Sequence, residues 1–185
     1  DDPEASSCAG IAIFHSHVPY ADAYRIAEEC CESGKRKMKE REVNNVSLLD
    51  YHYCQGVIGT SLDAIREHEG ESDTSRPWIV NIAAGEQDKM SDCVRVENEI
   101  TWIKEYLRLF GRSNVKGLLQ AAKNSDAELQ FEMKRMEAHM SRDKEQEKRE
   151  QQKELIRRVH GIDIKKLRKL IFDAVMVYDL WFKEG

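Results

Sequence analysis

The stretch "CAGIAIF", Cys8–Phe14, constrains the fold more than any other part of this chain. Its apolar residues are consecutive, so both faces of an extended strand would be greasy: Cys8, Gly10, Ala12 and Phe14 on one, Ala9, Ile11 and Ile13 on the other. A strand of that kind is expected in the middle of a sheet with a layer on each side, not at an edge. Pro19 then punctuates, and a helix is expected to follow, with Tyr24, Ala27, Cys31 and Met38 on one stripe at helical spacing.

The rest of the first half continues as α/β. "NNVSLLDYHYCQG" reads as a second strand, opened by Asn44 and Asn45 and closed by Gly56. "SLDAIREHE" predicts a short helix capped by Ser61, and "RPWIV" one more extended segment. Beyond residue 84 the pattern turns helical. Val96, Ile100, Ile103, Leu107 and Phe110 form one stripe, with Gly111 as a C-cap signal. Ser113 or Asn114 opens a short helix through Ala122. Ser125 and Asp126 open a longer one, with Leu129, Met133, Met136 and Met140 on one face. "SRDKEQEKREQQKE", near 141–154, has lost its apolar residues, and its opposite charges at i,i+4 favour a solvated helical arm. A final helix restarts after Gly161 and Asp163 on the stripe Ile164, Leu167, Ile171, Ala174, Tyr178, Trp181. Two domains are therefore expected, an α/β portion at 1–84 and an α-helical one at 85–185.

Composition narrows the function classes. Charged residues make up 34% of the 185, yet the formal net charge is only −5, which argues against a nucleic-acid coat or a membrane-surface binder. No run approaches 18 apolar residues, so no spanning helix is expected. The five cysteines are odd in number, form no Cys-x-x-Cys pair and sit within apolar patterns, as reduced thiols do; a cytoplasmic protein is expected.

The stretch "AGIAIFHSHVPYADAYRIAEECCESGKRK" resembles the second palm domain of the large polymerase-like subunit of type III CRISPR complexes. There, a Gly-Ile-Ala strand leads through a His-x-x-Pro-like turn into a helix ending in an Ala-Lys-Lys-like cluster, and "SLLDYHYCQG" is similar to the strand that closes the palm. A more distant likeness is to the diguanylate-cyclase palm, with Ala27, Glu28, Gly34 and Lys35 at or near its Ala-Asp and Ala-Lys positions. The resemblance covers roughly residues 6–84. It implies an α+β chain: a partial ferredoxin-like palm, missing its first strands, followed by an α-helical domain.

The resemblance also implies a function and its limits. Lys35, Lys39, His17 and Gly10 would be nucleotide-binding, with ATP and Mg²⁺ or Mn²⁺ as ligands of the complete protein and none held by this segment alone. The family's metal chemistry comes from a Gly-Gly-Asp-Asp hairpin and an acidic residue on the first strand, and neither is in this sequence. Nucleotidyl cyclase or transferase activity is expected only where an upstream portion supplies those carboxylates. In such a palm the strands at Cys8–Phe14 and Ser47–Cys54 flank a missing first strand, so half a palm is not expected to fold alone. The expected partner is an upstream portion of the same protein or a second chain completing the sheet, with CRISPR-type ribonucleoprotein subunits beyond it and no membrane. The alternative is an inactive structural subunit whose helices contact partner proteins or a guide-RNA complex.

Ordinary explanations stand beside these. "GKRKMK" is also what a helix C-terminus looks like when cations favour its dipole. His15 with His17, and His52 with Cys54, are pairs of zinc-ligand type. With a third strand between them they would lie about 9–10 Å apart, and no metal site is expected. Asp50 and His52 are read as cross-strand polar contacts or a solvent-facing edge, and the methionine face as core. The mixed signs of 141–154 argue against phosphate-backbone binding.

Overall fold

The computed structural model describes residues 5–54, 61–68, 74–140 and 146–181. The chain is α+β: a three-stranded mixed sheet followed by a helical region, consistent with a partial ferredoxin-like palm and a helical domain. It divides into two compact units, 1–96 and 97–185.

In the first unit, strand β1 (Ser7–Ile13) leads into helix α1 (Tyr20–Arg41), which returns the chain to strand β2 (Val46–Tyr53). The helix stops where its backbone turns left-handed at Glu42 (φ 50°), with Val43 N–H reaching back to the Met38 carbonyl. Asn45 also takes a positive φ of 57°, a conformation its short polar side chain tolerates. Helix α2 (Leu62–His68) follows, its Ala64 N–H donating to the expected Ser61 cap at 3.4 Å, and then strand β3 (Trp78–Ile82).

Pairing within the sheet corrects one expectation. β1 and β2 do not flank a vacant strand position; they are parallel neighbours, in register from Ser7 opposite Ser47 to Ile13 opposite Tyr53. β3 runs antiparallel on the far side of β2, with a register shift between Ser47 and Leu48. Among the described residues β1 is therefore an edge strand, where the two-sided apolar pattern predicts a central one.

Its face of Cys8, Gly10 and Ala12 lies under α1, while Ala9 and Ile11 are exposed. The reason is size. A Cβ on Gly10 would stand 1.9 Å from the Ala27 carbonyl oxygen and 2.5 Å from the Cys31 nitrogen, so strand and helix backbones meet here with nothing between them. The buried face of α1 also differs from its expected stripe. Ala23, Ile26, Cys30 and Gly34 are buried, whereas Tyr24 is 55% exposed.

The first unit runs past residue 84 because the next segment packs into its core. Met90 and Cys93 join Val43, Val46, Leu48 and Ile79, and Ile79 N–H donates to the Val94 carbonyl at 2.8 Å. Each such fully buried side chain contributes about 1.5–3 kcal/mol.

At the start of the second unit, a π-helical turn (Val96–Ile100) that begins on the last residue of the first runs into α3 (Thr101–Arg108). Then come α4 (Arg112–Asn124), α5 (Asp126–His139), α6 (Gln146–His160), α7 (Ile164–Met176) and α8 (Tyr178–Trp181). Gly111 precedes α4 in an extended conformation instead of capping α3 in the left-handed one. Ser125 caps α5, accepting from Glu128 N–H at 3.1 Å, and Asp163 caps α7 through Lys165 and Lys166 N–H. Met133 and Met136 are buried, as core methionines are. The described part of the charged segment, 146–154, is helical and laced with ion pairs such as Lys153–Glu150 at 2.7 Å. Among the described residues no helix is long and apolar enough to cross a membrane.

Candidate functional site

Lys35 and Lys39 stand one turn apart near the C-terminal end of α1 and line one recess of about 350 Å³ with Ser6, Met38, Glu42, Val43 and Asn44. The geometry follows from local structure. α1 descends over β1 to the level of Ser6, and the left-handed turn at Glu42 folds Val43 and Asn44 back beneath the helix end. Two lysines, a serine and an asparagine thus line one recess, residue types whose side chains can donate to an anion.

Its electrostatics are mixed. Lys35 Nζ is 2.5 Å from Glu32 Oε1; that hydrogen bond, and then the carboxylate's charge, raise the lysine's pKa and keep it cationic. The C-terminus of α1 carries partial negative charge, and Glu42 adds a full one, so a phosphate there has the two lysines for it and the helix end against it.

The other two residues expected at a nucleotide site do not join this recess. His17 lies in the turn before Pro19, beyond the opposite end of α1, whose first residue, Tyr20, is about 22 Å from Lys35 at 1.5 Å per residue. Gly10 sits mid-strand at the β1–α1 contact. His15 and His17 lie beyond β1, which ends at Ile13. His15 is exposed, 6.3 Å edge-on from Tyr53, whereas His52 of β2 and Cys54 just after it are buried. Among the described residues no three of His, Cys, Asp or Glu come together as metal ligands.

Asp50 and His52 are not on a solvent-facing edge; both are fully buried. Arg66, from α2, grips Asp50 with two bonds, Nη1 to Oδ2 at 3.1 Å and Nη2 to Oδ1 at 2.7 Å. Tyr51 N–H donates to Oδ1 at 2.7 Å, and Arg66 Nη2 also donates to the Tyr51 carbonyl at 2.8 Å. Arg76 donates to the same carbonyl and lies over the Tyr51 ring, 4.5 Å from its centroid. Beside them, burial and then the Asp50 charge push the Cys30 thiol up to about 12, so it is no nucleophile. This network clamps α2 and the residues before β3 onto β2. Sequence reading missed it because Arg66 and Arg76 carry no local sign that they turn inward to one carbonyl.

The second unit holds another polar cluster absent from the sequence reading. Glu137 Oε1 on α5 accepts from the Tyr106 hydroxyl of α3 at 2.7 Å and lies 2.8 Å from His160 Nε2 at the end of α6. The hydrogen bond to Glu137 raises the pKa of His160, and burial, followed by the carboxylate, raises that of Tyr106. A broad recess of about 800 Å³ follows α6, but Glu147, Glu150 and Glu154 against Arg158 make it a poor site for an anion.

Comparison with protein-family models, with curated proteins and with solved structures finds no match to this chain.

Proposed function

We propose that this chain is the nucleotide-handling part of a palm-like domain in an intracellular prokaryotic defence or signalling protein of CRISPR type. In this reading it takes the phosphates of ATP or a related nucleotide at Lys35 and Lys39. The observation that carries it is that these two lysines line one recess with Ser6 and Asn44, where ammonium charge meets neutral donors. Catalysis enters only where another portion or chain brings acidic metal ligands. Two divalent ions held there would activate the attacking hydroxyl and steady the leaving pyrophosphate.

Calorimetric titration of the chain with ATP, with and without Mg²⁺ or Mn²⁺, tests the reading. Binding in the range of about 0.1–1 mM is expected from two exposed cations beside a helix C-terminus, weakened at least about tenfold in Lys35→Ala/Lys39→Ala. Absence of binding, or binding indifferent to the double substitution, refutes it.

A second reading, a structural subunit working through protein contacts, is favoured by a different observation. Lys35 already has Glu32 as a partner, and β1 leaves an apolar edge open among the described residues. Without nucleotide binding, this is the reading that stands.

A further inference from the structure

β1 has β2 on one side and no strand on the other among the described residues. In a parallel pair, a residue that bonds its neighbour turns both its N–H and its C=O toward it, and the residue between turns both away. Cys54 N–H donates to the Ile13 carbonyl at 2.8 Å, which puts Ser7, Ala9, Ile11 and Ile13 in the bonded set. Cys8, Gly10 and Ala12 therefore present donors and acceptors at the open edge, where the Cys8 carbonyl takes only a thiol bond from Cys31 at 3.4 Å.

Nothing within the strand itself blunts this edge. Ser7–Ile13 contains no charge, no proline and no bulge, the usual devices against strand addition. Exposed large apolar side chains gather around it: Ile11 at 45%, Phe14 at 40%, and the stacked pair Tyr20 and Tyr24 at 76% and 55%. Both tyrosines lie on the flank of α1 that overhangs β1. That flank is set by Ala27 and Cys31 against Gly10, whereas the opposite flank meets α2 through Glu29 and Arg36.

The occupant is indicated by two kinds of self-complementarity. An antiparallel copy of β1, related by a twofold axis at Gly10, pairs Cys8 with Ala12, Gly10 with Gly10 and Ala12 with Cys8, which satisfies every outward backbone group. The same axis lays two α1 helices side by side and antiparallel. Along the overhanging flank α1 runs Tyr20, Tyr24, Glu28 and then Lys35, Lys39. At 1.5 Å per residue about a centre between Ala27 and Cys31, Tyr24 of one copy falls level with Lys35 of the other, and Tyr20 with Lys39. Glu28 is then within side-chain reach of the opposing Lys35. An acidic, aromatic half meets a basic half twice over, with cation–π and ionic attraction both available.

We propose that the open edge of β1 receives β1 of a second copy of this chain, giving a symmetric dimer with one continuous six-stranded sheet. This deepens the reading that another chain completes the sheet. Its test uses no nucleotide, so the dimer and the nucleotide site fail separately.

Sedimentation velocity of the chain at about 50 µM, where a micromolar dimer is mostly assembled, is expected to give twice the 21.4 kDa of one chain. Ile11→Lys places a charge at an already exposed edge position and is expected to give monomer with an unchanged circular dichroism spectrum. Lys35→Glu/Lys39→Glu alone and Glu28→Lys alone are each expected to dissociate, and the two mixed are expected to associate again as a heterodimer. A wild-type chain that sediments as monomer overturns the proposal. So does a dimer indifferent to Ile11→Lys, or a charge-swapped mixture that stays monomeric.

Discussion

Replacing Gly10 by alanine adds one methyl where the structure leaves no room. The new Cβ would meet the Ala27 carbonyl oxygen at 1.9 Å and the Cys31 nitrogen at 2.5 Å, both main-chain atoms of α1. Restoring ordinary contact requires β1 and α1 to part by more than about 1 Å, and a close-packed core forfeits much of its contact energy over such a gap. The layer lifted includes Ala23, Ile26 and Cys30, all buried against the sheet. Overpacking costs about 1–3 kcal/mol where side chains can yield, and here the obstacle is backbone, so about 3 kcal/mol or more is expected. Two other glycines calibrate the figure. Gly34→Ala meets the Cys8 sulfur at 2.9 Å, a side chain able to turn aside, and gains about 1 kcal/mol of helix propensity, so its net cost is small. Gly85→Ala meets nothing within 4 Å and is expected to be near neutral. Hydrogen exchange at the amides of Val46–Tyr53 reads the first unit alone, and a loss of 3 kcal/mol speeds exchange there by about 100-fold. Equal exchange in Gly10→Ala and Gly85→Ala would refute the backbone contact.

Other outcomes follow from the buried polar groups. Asp50→Asn leaves the Arg66 guanidinium buried without its carboxylate and is expected to cost about 3–5 kcal/mol, whereas Asp50→Asn/Arg66→Met costs less than Asp50→Asn alone; urea unfolding of the three proteins checks the order. His160 has a pKa raised above its ordinary 6.5 chiefly by its hydrogen bond to Glu137, against opposing burial and Lys134. Its contribution is therefore complete below about pH 6.5 and is lost as pH rises through the folded value. Unfolding measured across that window should show a stability decline that His160→Gln removes. Asp179 is held down to about 2 by Arg112, with Lys116 assisting. Its contribution is present above 3.8 and fades as pH falls toward 2, so Arg112→Ala should flatten the acid limb of the unfolding curve.

Much of the local structure was legible in the chain. Pro19 before a charged, apolar-striped run, Asn44–Asn45 before "VSLLDYHY", Ser125 ahead of α5 and Asp163 ahead of α7 are short-range signals, and each marks an element boundary near where the structure has it. The change from α/β to helical pattern likewise announced a sheet followed by helices. The recess at Lys35 was half legible. Helical spacing brings Lys35 and Lys39 together, whereas Asn44 and Ser6 join them only through the left-handed turn at Glu42 and the end of β1.

Which strand neighbours which was not legible, because a two-sided apolar pattern records what a strand tolerates, not what covers it. "CAGIAIF" suits a central strand, yet it lies at the edge, where its smallness serves another purpose: Gly10 lets α1 descend onto the backbone. Packing against the sheet likewise sets which residues of α1 are buried, Ala23, Ile26, Cys30 and Gly34, and leaves Tyr24 outside. Arg66, Arg76 and Asp50 look like surface charges in the sequence, and only tertiary structure joins them around one carbonyl. The elements could be read along the chain, since propensity, capping and periodicity act over a few residues. Strand pairing, the buried face of α1 and the buried ion pair could not, since each depends on atoms that distant parts of the chain bring within a few ångströms.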